Sequence, residues 1–205
     1  MKNKIYLLAL LILYCMNSFS QQVDPAIFKD FKENGFSEGQ TYEILDELYD
    51  VFTKIQVGIS QIASKYVPYE DRQRKKRDIL KHFVSSLSII EVTSINSNIK
   101  KRREIGDYLD RLLYKSNYYT VTIYFDNSFS VSKIFDKSGE QSKIAIGIWQ
   151  YYVAKNGDGC VVYADKTFKR AFFVIRKNSD SSWTIKVEEI KADETAHYNL
   201  KSEPK

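Results

Sequence analysis

Apolar residues between positions 37 and 68 recur at the spacing of an α-helix. Intervals of three and four residues place on one face Leu48, Phe52, Ile55, Ile59, Ile62 and Tyr66. Ser37 and Gln40 form a capping-box pattern at the start of this segment, and Pro68 ends it. The pattern predicts a long amphipathic helix that packs one face on a domain core.

Shorter segments flank this helix. Asp24 and Pro25 suit the start of a short helix, which Asn34–Gly35 ends. The segment 69–87 predicts a further helix with acidic residues in its first turn. β-Branched residues over 88–98 favour a strand. The segment 99–116 returns to the helical pattern, with an inward face made of Ile105, Leu109, Leu112 and Leu113.

From Tyr118 the hydrophobic period changes to two, which is typical of strands. The first of these strands presents on one face Val121, Ile123 and Phe125. Turn residues at 126–128, 156–159 and 165–167 divide the remainder, so the pattern predicts an antiparallel meander of about six strands ending at Ile190. Gly147 is expected to bend a long strand, and 191–205 is predicted to be a polar C-terminal tail.

Helices followed by a sheet indicate the α+β class, with N-terminal helices packed on a curved, mainly antiparallel, cone-like sheet. The long helix to Tyr66, the strand within 88–98, the helix "EIGDYLDRLL" and the sheet from Tyr118 to Ile190 occur in an order that resembles the nuclear transport factor 2-like superfamily. This resemblance covers most of the chain and implies a cone-shaped fold. The superfamily includes isomerases, dehydratases and epoxide hydrolases with an acid or histidine in the cone, and many non-catalytic binding or dimerising domains.

The first twenty residues have the pattern of a secretory signal peptide. Lys2 and Lys4 precede an apolar stretch over 5–16, and small residues follow at Ser18 and Ser20. The pattern predicts a signal peptide over 1–20, a single domain over 21–190, and an exported bacterial protein that is periplasmic or secreted. An uncleaved N-terminal anchor is one alternative. A lipoprotein modified at Cys15 is another, although the preceding tyrosine stands where that processing requires a small residue.

Positive charge is concentrated in two short runs. The chain has 31 Lys and Arg against 26 Asp and Glu, a net charge of +5. Candidate polyanion contacts are Arg72, Lys76, Arg77, Lys100, Lys101, Arg102 and Arg103. Export argues against nucleic acid and favours anionic lipids or glycans of the envelope as partners. Alternatively the runs are solvated helix faces, because helical ion-pair spacing relates Glu70 to Arg74, Asp71 to Lys75 and Arg74 to Asp78.

Aromatic residues are dense in the predicted sheet, and most are expected in its core or in cross-strand pairs. Trp149, Tyr151 and Tyr152 form a candidate aromatic surface, because consecutive positions of a strand place aromatic rings on both faces. An exposed aromatic face can serve as a glycan platform or as the interface of a homodimer.

Residues for metal, cofactor or nucleophilic chemistry are sparse. His82, His197 and Cys160 do not have zinc-ligand spacing, and no phosphate-binding or cofactor-binding motif occurs. The two histidines fall in a basic helix and in the polar tail, away from any predicted cone. Cys160 is expected to be a small buried hydrophobe.

Carboxylates are the remaining candidates for catalysis. In an apolar cone, burial could raise the pKa of Asp107, Asp110 or Asp165 and make that residue a general base. The pattern instead favours surface pairs with Arg103 or Arg111 for the first two and a turn for Asp165. No catalytic, metal-binding or cofactor-binding residue is therefore assigned.

These patterns favour an exported, non-catalytic binding or interaction module of the cell envelope, with an unknown small ligand or protein partner. One alternative is a small cone-fold enzyme of the isomerase, dehydratase or hydrolase type that uses a pocket carboxylate. Another is a peripheral protein that binds anionic lipid or glycan through the two basic runs.

Overall fold

The computed structural model describes residues 25–125, 130–138 and 141–198, with the backbone only for 25, 97–98 and 130–138. The predicted signal peptide and the last residues of the predicted tail lie outside these ranges. The chain divides into two compact units, one ending at Thr41 and the other beginning at Tyr42. The single domain expected over 21–190 stays a prediction.

The first unit contains a short helix and the start of the long one. Helix α1 spans Pro25–Glu33 and ends in a turn in which Gly35 has a φ of 85°. Helix α2 spans Glu38–Ala63, across the boundary between the units. The Ser37 amide donates to Gln40 Oε1 at 2.9 Å, and the Gln40 amide donates to Ser37 Oγ at 3.2 Å. This reciprocal pair confirms the predicted capping box.

The second unit contains the rest of α2, two further helices and the strands of one sheet. The helices are α3, Tyr69–Leu80, and α4, Ile105–Lys115. The strands are β1, Ile89–Ser94; β2, Ser97–Glu104; β3, Thr120–Phe125; β4, Ser130–Ser138; β5, Gln141–Lys155; β6, Val161–Lys177; and β7, Trp183–His197. The predicted α+β class is confirmed, as is the order of helices and sheet expected from the resemblance to the nuclear transport factor 2-like superfamily.

The described strands form a seven-stranded sheet of order β2-β1-β7-β6-β5-β3, in which β4 also pairs with β5. β1 is parallel to β7, and the other pairs are antiparallel. β3 pairs with residues 150–155 of β5 and β4 with residues 141–147, so β3 and β4 follow each other along one edge of β5. The turn expected at 126–128 lies outside the described residues.

One face of the sheet packs on α2. Phe52 of α2 contacts Phe125 of β3 and Phe173 of β6, with ring centroids 5.3 and 5.1 Å apart in edge-to-face geometry. On β6 every second residue from Asp165 to Ile175 is buried, and the residues between them are more exposed. The strand therefore presents one side to the core, and we call that side of the sheet the inner face.

Helix α2 also covers the free edge of β3. The Val121 amide donates to Ser64 Oγ at 2.8 Å, and the Ile123 amide donates to Ser60 Oγ at 2.9 Å. Gln56 Nε2 donates to the Ile123 carbonyl at 2.5 Å. Gln56 and Ser60 are four residues apart on one face of α2, and Ser64, directly after the helix, continues this spacing. Because unpaired backbone groups on a strand edge can pair with another chain, this stripe closes the edge of β3.

The second basic run, Lys100–Arg103, differs from the sequence expectation. The strand predicted over 88–98 is a hairpin of β1 and β2, and Lys100–Arg103 lies in β2 rather than at a helix start. Pairing decides this conformation, because β2 is held by β1 with Glu91 opposite Arg102. Helix α4 starts only at residue 105, and as predicted it buries Ile105, Leu109 and Leu113.

The C-terminal half differs as well. Strand β6 runs without interruption through 165–167, so the turn predicted there is wrong and two predicted strands are one. Strand β7 continues to His197, which places the first part of the expected tail in the sheet. The β5–β6 register is regular at Gly147, whereas β7 has an extra residue at Glu188 and at Asp193. The bulges of the β6–β7 pair therefore lie in β7, and a bend at Gly147 stays a prediction.

Cys160 is exposed, contrary to the expectation that it is buried. It closes a turn, in which the Cys160 amide donates to Asn156 Oδ1 at 2.9 Å and the Asn156 amide donates to the Cys160 carbonyl at 3.0 Å. Strand β6 begins one residue later, so the thiol stays outside the sheet.

Candidate functional site

The inner face of β6 carries a polar row before it becomes apolar. Tyr163, Asp165, Thr167 and Lys169 occupy alternate positions, so their side chains lie on the same side as Phe173. Asp165, Thr167 and Lys169 are 5%, 2% and 7% exposed. Ionisable side chains are seldom buried this far unless they are paired or have a function. This row is therefore the candidate functional site.

Asp165 is the last member of a chain of hydrogen bonds that starts at Ser94 of β1 and passes through Tyr163. The Tyr163 hydroxyl donates to Asp165 Oδ2, and the Tyr163 oxygen lies 3.0 Å from Ser94 Oγ. Because the Tyr163 proton is directed to the carboxylate, the Ser94 hydroxyl donates to Tyr163. Burial raises the pKa of Asp165, against the opposing effects of the Tyr163 hydrogen bond and the Lys169 charge. The carboxylate is therefore a stronger base than that of an exposed aspartate.

Four tyrosines surround this carboxyl, and together with it they make what we call the Asp165 cluster: Tyr108 of α4, Tyr118 before β3, Tyr152 of β5, Tyr163 and Asp165. The rings of Tyr118, Tyr152 and Tyr163 have centroids between 5.8 and 6.4 Å apart. Tyr152 is the partner of Asp165 in the β5–β6 ladder. Burial, aided by the Asp165 charge, raises the pKa of Tyr108 and Tyr152. Their hydroxyls therefore stay protonated and remain hydrogen-bond donors.

The tyrosines of the cluster are half-buried, whereas Asp165 is buried. Burial, and next the hydrogen bond to Asp165, raise the pKa of Tyr163 to about 12. Within the described residues, the hydroxyls of Tyr108, Tyr118 and Tyr152 have no hydrogen-bond partner. The cluster thus combines a buried acid with partly accessible aromatic rings that carry unused donors.

The polar row continues past Asp165 toward the apolar core. A hydroxyl contact of 3.1 Å joins Thr167 to Thr195 of β7, and a second joins Thr195 to Thr93 of β1. Lys169 Nζ donates to the backbone carbonyl of Glu91 at 2.9 Å. Burial lowers the pKa of the Lys169 amine to about 8, although two nearby carboxylates favour its charged form. At neutral pH the site therefore contains a buried ammonium group.

His197 is the partner of Asp165 in the β6–β7 ladder. Cross-strand partners have side chains on the same face, so His197 lies on the Asp165 side of the sheet, where it is exposed. The sequence placed His197 in a polar tail, and no local pattern could have brought it to Asp165. His82 follows α3, outside the cluster, and burial lowers its pKa.

In the first predicted polyanion run, Arg72 binds the end of a helix and Lys76 binds an acid. Arg72 Nη1 donates to the Leu113 carbonyl at 3.1 Å, at the end of α4, and cations are favourable near helix C-termini. Lys76 pairs with Asp110 of α4 at 2.5 Å. Arg77 is exposed.

The second run, in β2, likewise contains both paired and exposed cations. Arg102 pairs with Glu189 at 3.2 Å and Arg103 with Asp107 of α4 at 3.1 Å, whereas Lys100 and Lys101 are exposed. Helix α4 pairs with both runs, through Asp110 with the first and through Asp107 with the second. Asp107 makes the predicted surface pair, while Asp110 pairs with Lys76 instead of an arginine of its own helix. Polyanion binding by these cations stays a prediction.

The candidate aromatic surface is divided between the two faces of the sheet. Tyr152 lies on the inner face within the Asp165 cluster, whereas Trp149 and Tyr151 alternate with it on the outer face. Trp149 contacts Phe168 at 5.4 Å, and Tyr151 stacks on Tyr124 at 4.9 Å. The three residues therefore do not form one surface, and the expected homodimer or glycan contact of the outer face stays a prediction.

Within the described residues, no three His, Cys, Asp or Glu side chains are grouped so that they could hold a metal ion. In the same part of the chain, no helix has both the length and the apolar character needed to cross a membrane.

No family model matches the chain, and no curated protein does. Solved structures are similar in fold. A putative scytalone dehydratase from Novosphingobium aromaticivorans is 10% identical over 78% of this chain and 93% of its own, with a TM-score of 0.43. Aln2 from a Streptomyces species is 9% identical over 74% and 90%, with a TM-score of 0.46. An NTF-2-like protein of unknown function from Pseudomonas aeruginosa is 9% identical over 73% and 96%, with a TM-score of 0.39.

Proposed function

We propose that this protein is a small enzyme that binds an apolar molecule at the Asp165 cluster and moves a proton with Asp165. The observation that carries the proposal is a buried carboxyl with a raised pKa, ringed by four tyrosines. A carboxylate costs free energy in such a place, and proteins keep costly groups where they are used. The sequence alone favoured a non-catalytic module over this alternative.

Each group of the cluster has a role that its position supports. The Asp165 carboxylate accepts a proton from a C–H or O–H bond of the substrate and returns it to another atom, as an isomerisation or a dehydration requires. Tyr163 keeps the carboxylate oriented through its hydroxyl. The rings of Tyr118 and Tyr152 supply apolar contact area. The free hydroxyl of Tyr108 can donate to a substrate oxygen on which negative charge develops.

An assay with a surrogate substrate tests this proposal, since the natural substrate is not needed. We expect the protein to accelerate exchange of the α-protons of 1-indanone in deuterated water, followed by NMR, because abstraction next to a carbonyl needs only a positioned base. Asp165→Asn should abolish the acceleration, and Asp158→Asn, in the exposed turn after β5, should retain it.

The result separates the two function classes that the sequence left open. Equal exchange with wild type and Asp165→Asn would overturn the enzyme proposal. If 1-indanone binds but exchange never depends on Asp165, the non-catalytic binding module is the better account.

We also infer, from the sequence alone, that the protein is exported. The basic start and apolar stretch of residues 1–20 support this inference. N-terminal sequencing of the protein recovered from cells should begin near Gln21, and an intact Met1 on the cell-associated protein would contradict it.

A further inference from the structure

Lys169 is buried without an ion-pair partner. Its side chain is 7% exposed, and its Nζ donates to the Glu91 backbone carbonyl at 2.9 Å. An ammonium group has three N–H donors. Among the described residues, no second acceptor and no carboxylate within 4.0 Å serves Lys169. A buried charge left in this state is unfavourable unless another group compensates it.

The two acids nearest to Lys169 are engaged elsewhere. Asp165 accepts the hydrogen bond of Tyr163. Glu91 Oε2 accepts from the Ala192 amide at 3.1 Å, and Glu91 Oε1 lies 3.9 Å from Arg102 Nε. Both carboxylates favour the charged amine from a distance, but neither contacts it. Two N–H donors of Lys169 are therefore available to a bound molecule.

The position of Lys169 within the polar row determines where a group that accepts these hydrogen bonds would lie. Tyr163 and Asp165 are at one end of the row, next to the half-buried tyrosines, and Lys169 is at the other, beside the apolar residues Ala171 and Phe173. Four residues of strand separate Asp165 from Lys169, about 13 Å between their Cα atoms at the usual rise. The Lys169 side chain reaches past β7 to the Glu91 carbonyl of β1.

We propose that Lys169 binds the carboxylate of the ligand, so that the molecule taken up at the Asp165 cluster is a carboxylic acid with an apolar body. This inference rests on the proposed function, because it places the ligand at that cluster. The carboxylate supplies the missing counter-charge, and its two oxygens match the two unused N–H donors. The apolar body then lies among the tyrosine rings, with Asp165 beside it.

Matched probes test this assignment on the full-length protein. We would titrate 4-phenylbutyrate, 4-phenylbutyramide and 4-phenylbutanol by calorimetry, because the three differ only in the terminal group. The acid should bind wild type at least about tenfold more tightly than the amide, as expected for a charge-assisted hydrogen bond. Lys169→Met should bind acid and amide equally. Lys155→Met, at an exposed position of β5, should keep the preference.

Lys169→Arg supplies a second variant that keeps the charge and should retain the preference for the acid, even if the methionine variant does not fold. Equal binding of acid and amide to wild type would overturn the assignment of Lys169 while leaving the Asp165 cluster as a binding site. The same holds if Lys169→Met keeps the acid preference. If none of the three probes binds at millimolar concentration, the proposed function fails together with this inference.

Discussion

The hydroxyl of Tyr163 donates to Oδ2 of Asp165, two residues further along the same strand and on the same face. Even with this bond, burial keeps the pKa of Asp165 above its ordinary value. A carboxyl with a raised folded-state pKa contributes most to stability below its unfolded pKa, and that contribution is lost as the pH rises through the folded pKa. At neutral pH, Asp165 therefore lowers the free energy of unfolding.

We expect Asp165→Asn to be more stable than wild type at pH 7, with the difference shrinking toward pH 4. The amide keeps an oxygen that can accept from Tyr163 but has no charge to bury. Urea unfolding at the two pH values measures this, with Asp158→Asn as an exposed control. A variant that is less stable than wild type at pH 7 and equal at pH 4 would show that the carboxylate stabilises the fold.

Lys169 gives a second pH dependence, at alkaline pH. Its amine has a pKa of about 8 in the folded protein against 10.5 for an ordinary lysine, so between these values the unfolded chain binds more protons. Stability due to this group therefore rises with pH over that window and is lost as the pH falls through 8. Wild type should gain about 2–3 kcal/mol relative to Lys169→Met between pH 7 and pH 10.

Chemical unfolding of both proteins at these two pH values checks the Lys169 prediction. Tyrosines that titrate above pH 10 contribute to both proteins and cancel in the difference. A difference that does not change with pH would mean that the amine titrates normally.

Ser64 tests the closure of the β3 edge. Ser64→Ala leaves the buried Val121 amide without its acceptor at 2.8 Å, so we expect a loss of about 1–3 kcal/mol in the free energy of unfolding. Thr122→Ala, on the exposed side of the same strand, should cost less than about 0.5 kcal/mol. Equal effects of the two substitutions would show that Ser64 contributes nothing to the edge.

Two glycines of α2 should respond in opposite directions to alanine. A Cβ on Gly58 would lie 2.6 Å from Ile79 Cδ1, whereas a Cβ on Gly39 would meet nothing within 4 Å. Ile79 is buried, so Gly58→Ala should destabilise by about 1–3 kcal/mol through overpacking. Gly39→Ala should stabilise by up to about 1 kcal/mol, because alanine is the better helix former.

Thermal and chemical unfolding of the two alanine variants compares them directly. Stabilisation by both would mean that Ile79 shifts without cost, and that the close approach of α2 and α3 is not a constraint.

Patterns set by local geometry could be predicted from the sequence. The capping box of Ser37 and Gln40 depends on a spacing of three residues, and the buried side of β3 depends on strict alternation. Both were predicted correctly because nothing distant is needed to form them. The α+β order of the elements followed from the same two periodicities.

Features set by pairing between distant segments could not be predicted. The run Lys100–Arg103 has no apolar period, so its pairing with β1, rather than its own sequence, makes it a strand. The segment 165–167 has the composition of a turn. Nothing in these three residues alone shows that Asp165 faces inward. The alternation of Tyr163 and Asp165 with the apolar run that follows was the one local signal for a continuous strand. No local signal predicted that His197 is the ladder partner of Asp165.

Strand β2 is one border of the described sheet, and it contains four consecutive basic residues, Lys100–Arg103. The β3 part of the other border is covered by Gln56 and Ser60 of α2 and by Ser64, which directly follows that helix. Two copies of the chain that approached each other through β2 would bring these cations together before any backbone hydrogen bond could form. Like charges on an exposed strand oppose such pairing. Mutual repulsion at β2 and physical cover at β3 thus oppose pairing with another chain at these two edges.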